Sequence, residues 1–182
     1  MQIKVAGQPE PQDKALADSE TGQHVVEVDP LDTLQRFVKL HHMMLSAYSE
    51  YTETQYAINM NEYRVLMVVG RLGVTASHEL AEKTGINIMS ISRTVSALEE
   101  RCILNVEIDP ENRRRKLLRL TQQGDDLYNT VRPMADRVAD YIFGSLKLDE
   151  FLAFDRHLRT LIRRVGEVDE NNRSVFLAKT KF

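Results

Sequence analysis

A chain of 182 residues with 42% hydrophobic content is long enough for one domain, or one domain with an extension, and can fill a core. No apolar run approaches the ~20 residues of a membrane span, no basic start followed by an apolar stretch marks a secretory signal, and the single cysteine excludes an intramolecular disulfide and fits a reducing cytoplasm. The net charge of −3 resides in residues 1–28, where two lysines face five acids, and the rest of the chain balances 22 bases against 22 acids.

Residues 1–28 contain no Phe, Tyr or Trp and little periodicity, so they are expected to form a flexible acidic tail. Asp29-Pro30 is a helix start, with Asp as cap and Pro in the first turn. Leu31, Leu34, Phe37, Val38, His41, Leu45 and Tyr48 then trace a helical stripe to about Tyr56. Asn61 is placed to cap a second helix that Gly73 stops after Leu72, and Thr75 or Ser77 opens a third that ends at Gly85. Asn87 caps the next helix, with Ile86 and Ile91 spaced as a hydrophobic staple. There Ile88, Ile91, Val95 and Leu98 give the buried stripe. Asn87, Met89, Ser90, Ser92, Arg93, Thr94 and Ser96 point outward, a short polar face free of acid until Glu99. Such a face suits a helix entering a major groove.

Leu104, Val106 and Ile108 alternate with polar residues, Asp109-Pro110-Glu111-Asn112 is turn chemistry, and Leu118 and Leu120 flank Arg119 on the return. The pattern predicts a β-hairpin with Arg113, Arg114, Arg115 and Lys116 at its tip. That cation cluster is a poor core and a good partner for phosphates or a minor groove. Residues 86–121 carry seven bases against five acids, a small local excess that implies strong salt dependence and help from a second subunit. Thr121 starts a long helix to about Phe143 with a kink expected at Pro133. Asp149 is placed to cap a last helix in which Phe151, Leu152, Leu158, Leu161, Ile162 and Val165 are apolar, and 167–182 are expected to be a tail.

The segments "ISRTVSALEERC", "DPENRRRKLLRLT" and "LTQQG" resemble the winged helix-turn-helix of the MarR family of transcriptional regulators, and with flanking helices the resemblance covers roughly Pro30 to Val165. It implies a mainly α fold with a small β-wing. The expected parts are an N-terminal dimerisation helix over 29–60, a DNA-binding lobe over 61–121 and C-terminal dimerisation helices over 122–166. Surplus apolar surface on the first and last helices, Phe37, Leu40, Met44, Phe151, Phe154 and Leu158, agrees with a homodimer. Two recognition helices related by symmetry imply a pseudo-palindromic operator in double-stranded DNA. Two positions depart from the family. Cys102 stands where members usually carry Gly, which implies a different cap after the recognition helix. Asn112 stands where they usually carry Asp, the charged partner of the arginine matching Arg114; Asn112 can still hydrogen-bond to it.

The expected DNA-binding residues are Asn87, Ser90, Ser92, Arg93, Thr94, Arg113, Arg114 and Arg115. Arg93 fits either guanine or a phosphate, Arg114 suits the minor groove, and Arg115 and Lys116 also fit a merely solvated strand. The resemblance further implies a small-molecule effector, often an aromatic acid. His41, His42, Met44, Tyr48, Met60, Tyr63, Arg64 and Met67 are candidates to line its site, and Arg64 or Arg71 to grip a carboxylate. Taken singly, each Met and Tyr reads more readily as core. The five histidines, at 24, 41, 42, 78 and 157, include no i,i+4 pair, and no phosphate loop, Ser/His/Asp motif or zinc signature is present. No metal, cofactor or enzymatic activity is therefore expected. Cys102 reads as a small, partly buried residue. Repressor and activator, and a winged helix that docks proteins instead of DNA, remain alternatives at this level.

Overall fold

The computed structural model describes residues 28–113 and 115–181. It is mainly helical with one small antiparallel sheet. The chain forms two compact units that meet in sequence at Arg119 and Leu120. The expected tail, residues 1–28, lies outside the described residues except for Val28.

In the first unit, α1 spans Pro30–Tyr56, and the Asp29 carboxylate accepts the Leu31 N–H at 2.9 Å. Helix α2, Met60–Leu72, is capped by Asn59 and not by Asn61. Asn59 Oδ1 accepts the N–H groups of Asn61 and Glu62 at 3.0 and 3.1 Å, and the Glu62 carboxylate returns to the Asn59 N–H at 2.8 Å. Asn59 prevails because it has a glutamate three residues on, so two orphan donors are satisfied reciprocally. Gly73 ends α2 at φ 77°.

The structure adds a strand the sequence did not announce. Thr75–Ala76 form β1, before α3 (Ser77–Thr84), α4 (Ile88–Glu100), β2 (Leu104–Ile108) and β3 (Lys116–Leu120). The sheet order is β1-β3-β2, with Thr75 opposite Leu118 and Ala76 opposite Leu117. Ser77, one of the two expected starts, opens α3. Ala76 is the capping position before it, and the Glu79 carboxylate accepts the Ala76 N–H at 3.2 Å and the Thr75 hydroxyl at 3.0 Å. Helices α2, α3 and α4 pack on one another. Val65, Leu66, Val69, Leu80, Ile91 and Leu98 are fully buried, and Leu104 and Leu118 carry the core into the sheet.

In the second unit, α5 covers Gln122–Phe143, is capped by Thr121, and stays helical through Pro133. Helix α6, Leu148–Val165, begins one residue before the expected cap: Asp149 lies inside it, and Glu150 takes the Lys147 N–H at 2.8 Å. It is not the last helix. Asp169 accepts the N–H groups of Asn171 and Arg173, the turn closes, and Ser174 caps α7, Val175–Thr180, within the expected tail. Tyr128, Val131 and Met134 of α5 are buried, whereas α6 has no buried residue. Among the described residues no helix is long and apolar enough to cross a membrane.

The end of α4 corrects the reading of Cys102. Its N–H donates to the Glu99 carbonyl at 2.9 Å, and the Ile103 N–H donates to the Leu98 carbonyl at 2.8 Å. This is a Schellman closure, with the apolar pair Leu98 and Ile103 buried beside it. The cap is therefore the one glycine makes, built with cysteine: Cys102 is exposed and held at φ 56°. A side chain there costs ~1 kcal/mol or more, part of which glycine returns through unfolded-chain entropy. Cys102→Gly is expected to raise stability by about 0.5–1 kcal/mol in urea unfolding, and Cys102→Ala to leave it nearly unchanged. A destabilised glycine variant contradicts the strain.

Candidate nucleic-acid interface

The turn between α3 and α4 is short because each orphan group finds a local partner. Gly85 adopts φ 69° and its N–H donates to the Ala81 carbonyl at 2.9 Å. The Thr84 hydroxyl donates to the Leu80 carbonyl and accepts the Ile86 N–H. Asn87 Oδ1 accepts the Ser90 N–H at 2.9 Å, and Ile86 and Ile91 are both buried beside that cap.

The buried stripe of α4 is Ile91, Thr94, Val95 and Leu98. Two expected positions change sides. Thr94 is only 8% exposed, because it lies three residues from Ile91 and four from Leu98, on the same face. Ile88, expected inside, is 55% exposed, one turn ahead of the stripe. Thr94 is thus withdrawn from the outward face. Asn87, Met89, Ser92, Arg93 and Ser96 are exposed there, and Ser90 is half-buried.

The wing tip is a closed loop. The Asp109 N–H donates to the Arg115 carbonyl at 2.9 Å, and the Arg115 N–H donates to the Asn112 carbonyl at 2.7 Å. Asp109 Oδ1 accepts the Glu111 N–H at 2.9 Å. Arg113 is exposed, and Arg114 lies outside the described residues. Arg115 turns back toward the lobe. Its Nη2 is 2.8 Å from Glu79 Oε1 and its Nη1 is 3.7 Å from Asp109 Oδ2. The Ala76 N–H, then the Thr75 hydroxyl, hold the Glu79 carboxyl below its ordinary pKa, and the Arg115 charge adds to this. A groove of about 340 Å³ lies beside this pair, lined by His78, Ile88, Ser92, Glu99, Arg115 and Lys116 among others.

A second ion pair, for which sequence gave no signal, joins α2 to the far end of α4. Arg101 Nη1 is 3.3 Å from Glu62 Oε2, and the Glu62 carboxylate is nearly buried. The capping box marks Glu62, but nothing in the pattern pairs it with a residue 39 positions away.

The candidate ligand residues fall on α1 and α2. Met44 and Tyr48 on α1, and Met60, Tyr63, Arg64 and Met67 on α2, are half-buried, whereas His41 and His42 are exposed with ring centres 6.0 Å apart. The structure brings Tyr48 and Tyr63 together, with ring centres 5.3 Å apart. Burial raises the Tyr48 pKa, partly offset by a hydrogen bond with Tyr63.

The MarR family model matches residues 58–116, from the approach to α2 to the first residue of β3. Over 99 residues the chain is 28% identical to the HTH-type transcriptional repressor NicR of Pseudomonas putida, covering 54% of this chain. The chain spans about 60% of the length of that curated relative. A MarR/EmrR family transcriptional regulator from Acinetobacter sp. ADP1 shares the fold with a TM-score of 0.67, at 21% identity over 74% of this chain and 95% of that one. BpsR of Bordetella bronchiseptica, whose DNA binding is regulated by 6-hydroxynicotinic acid, aligns with a TM-score of 0.58 at 22% identity, over 71% of this chain and 98% of its own.

Glu79 yields a pH dependence. Its folded pKa lies below its ordinary value, so its contribution to stability is complete above the ordinary carboxylate range and is lost as pH falls through the folded pKa. Glu79→Gln is expected to flatten the acid-side fall of the thermal midpoint while lowering the midpoint near pH 7. An unchanged pH profile contradicts that role.

Proposed function

Because the chain carries a MarR-family winged helix-turn-helix, we propose that it is a homodimeric cytoplasmic regulator that binds a pseudo-palindromic operator in double-stranded DNA, a repressor released by a small aromatic acid. The observation that carries this reading is the exposed face of α4 beside the wing, free of acid until Glu99. Asn87, Ser90, Ser92 and Arg93 lie on that face, with Arg113 on the adjoining loop. Arg93 serves as the base reader, since its fork matches guanine. Arg113 contacts phosphate, and Arg114 is kept as the minor-groove residue.

A second copy accounts for apolar surface that each unit leaves open. Leu34, Phe37 and Leu40 of α1 are half-exposed, as are Leu152, Leu161 and Ile162 of α6. Patches of this kind on terminal helices favour association.

The effector site is assigned to α1 and α2, with His41, Met44, Tyr48, Met60, Tyr63 and Met67 as its apolar and aromatic walls and Arg64 as the carboxylate partner. Regulation of BpsR by 6-hydroxynicotinic acid supports that ligand class.

Selection of duplexes from a random pool tests the reading. The expected result is an inverted repeat whose binding weakens steeply between 50 and 200 mM salt, as counterion release requires. Arg93→Ala is expected to lower affinity for that repeat about tenfold or more. No enrichment at either salt sinks the regulator. Added 6-hydroxynicotinate is expected to weaken operator binding of the unmodified protein. Arg64→Ala is expected to abolish that response while leaving ligand-free DNA affinity within about twofold. An equal response in the variant removes Arg64 from the site.

A further inference from the structure

The wing is a two-stranded ribbon that must be held at a fixed angle to α4 if both are to meet one duplex. Backbone pairing supplies part of that hold, since β3 pairs with both β1 and β2. Strand pairing stops at Lys116, and beyond it the tip, Asp109 to Arg115, closes on itself through backbone bonds that do not reach the lobe. Its hold on the lobe therefore depends on side chains, and among the described residues of the tip Arg115 is the cation paired with an acid of the lobe.

We propose that Arg115 does not bind DNA but is the positioning residue of the wing, a latch that ties the tip to the first turn of α3. The proposal rests on the DNA-binding reading above for its functional consequence. It stands on geometry for the latch itself.

Three observations converge on it. The guanidinium spans two carboxylates from different elements, Glu79 on α3 at 2.8 Å and Asp109 at the wing tip at 3.7 Å. The two acids are themselves anchored. Glu79 accepts the Ala76 N–H and the Thr75 hydroxyl, and Asp109 is buried and accepts the Glu111 N–H. Finally, the Arg115 Nε is shielded from solvent while the side chain as a whole is 38% exposed, so the Nε edge of the group faces the protein. A guanidinium facing two acids has its charge offset locally, which makes it a weak phosphate partner. The fork geometry explains why arginine and not lysine stands there. The latch also answers the departure at Asn112: where the usual wing acid is missing, Asp109 and Glu79 supply carboxylates to the neighbouring arginine.

Two measurements on the full chain test this. Amide hydrogen exchange without DNA reads the latch alone. Arg115→Gln is expected to speed exchange at the Asp109 and Arg115 amides about tenfold while leaving α2 amides unchanged. Unchanged wing amides, or equal acceleration throughout the lobe, overturn the proposal. Binding to the selected duplex across a salt series reads the consequence. Arg115→Gln is expected to weaken affinity about five- to tenfold with an unchanged slope of log affinity against log salt. Arg113→Ala, a phosphate-contact control, is expected to lose about one unit of slope. Arg115→Lys keeps the charge and loses the fork, and is expected not to restore binding. Glu79→Gln removes a negative charge near the DNA face, so the field alone predicts tighter binding, whereas the latch predicts weaker binding. A slope loss in Arg115→Gln, full binding by Arg115→Lys, or equal or tighter binding by Glu79→Gln overturns the proposal. If the unmodified chain enriches no duplex, the regulator reading fails, and the exchange measurement still decides the latch.

Discussion

The rotation of α4 about its own axis is the constraint on which the rest depends. Each residue turns a helix by about 100°, so a slip of one position that carried Arg93 into the stripe would put Ile91, Val95 and Leu98 at exposed positions. The stripe of Ile91, Thr94, Val95 and Leu98 sets the rotation by burial. Both ends then lock it. Gly85 and Asn87 fix where the first turn begins, and the closure through Cys102 and Ile103 fixes where the last one stops. Arg101, at that stop, pairs with Glu62 and ties the end of α4 to the start of α2. The tie is asymmetric, since Glu62 is nearly buried while Arg101 is 37% exposed: removing Arg101 leaves a shielded carboxylate without its cation.

Charge in the lobe is sorted by this framework. Arg101 and Arg115 are turned inward onto acids, while Arg93 and Arg113 are exposed. Counting cations along 86–121 overstates what a polyanion meets, since some of that charge is already offset within the fold. Among the described residues of that stretch, Arg93, Arg113, Lys116 and Arg119 keep their charge exposed. On the proposed operator-binding reading, a second copy of the lobe on one duplex would double that set.

Legibility in the sequence followed the range of the interactions. Local chemistry was readable: Asp29-Pro30, Gly85, Asn87, the hairpin alternation and Thr121 all mark element ends where the structure has them. Competing local signals were less so, as at Asn59 against Asn61 and Lys147 against Asp149, where a glutamate three residues on decided the cap. Strand β1 was invisible because two residues carry no period, and only its pairing with Leu117 and Leu118 makes it a strand. Thr94 and Ile88 changed sides because residue polarity was given more weight than helical angle. Cys102 shows the converse. Its residue type argued against a left-handed cap, yet the carbonyls of Leu98 and Glu99 impose one. The ion pairs of Arg101 and Arg115 join residues 39 and 36 positions apart, beyond any local pattern.

Helix α1 brings the proposed roles together. On the proposed reading its outward residues Leu34, Phe37 and Leu40 offer apolar surface to a second copy, and farther along the same helix the Tyr48 ring meets Tyr63 of α2 at a tilt of 44°. A ligand wedged at that aromatic pair would act on a helix that also carries the subunit face. It would act equally on α2, whose first turn holds Glu62 and through it Arg101 at the end of α4. On the proposed reading, one tilted aromatic contact, one capping box and one ion pair lie in succession between the effector site and α4. Such a route transmits only the difference in a ligand's affinity between two arrangements of α1 and α2. On this reading, an aromatic acid that filled the site without moving Tyr63 against Tyr48 would bind and leave DNA affinity untouched. Release from the operator requires a ligand large enough, or anchored firmly enough by Arg64, to separate the two rings.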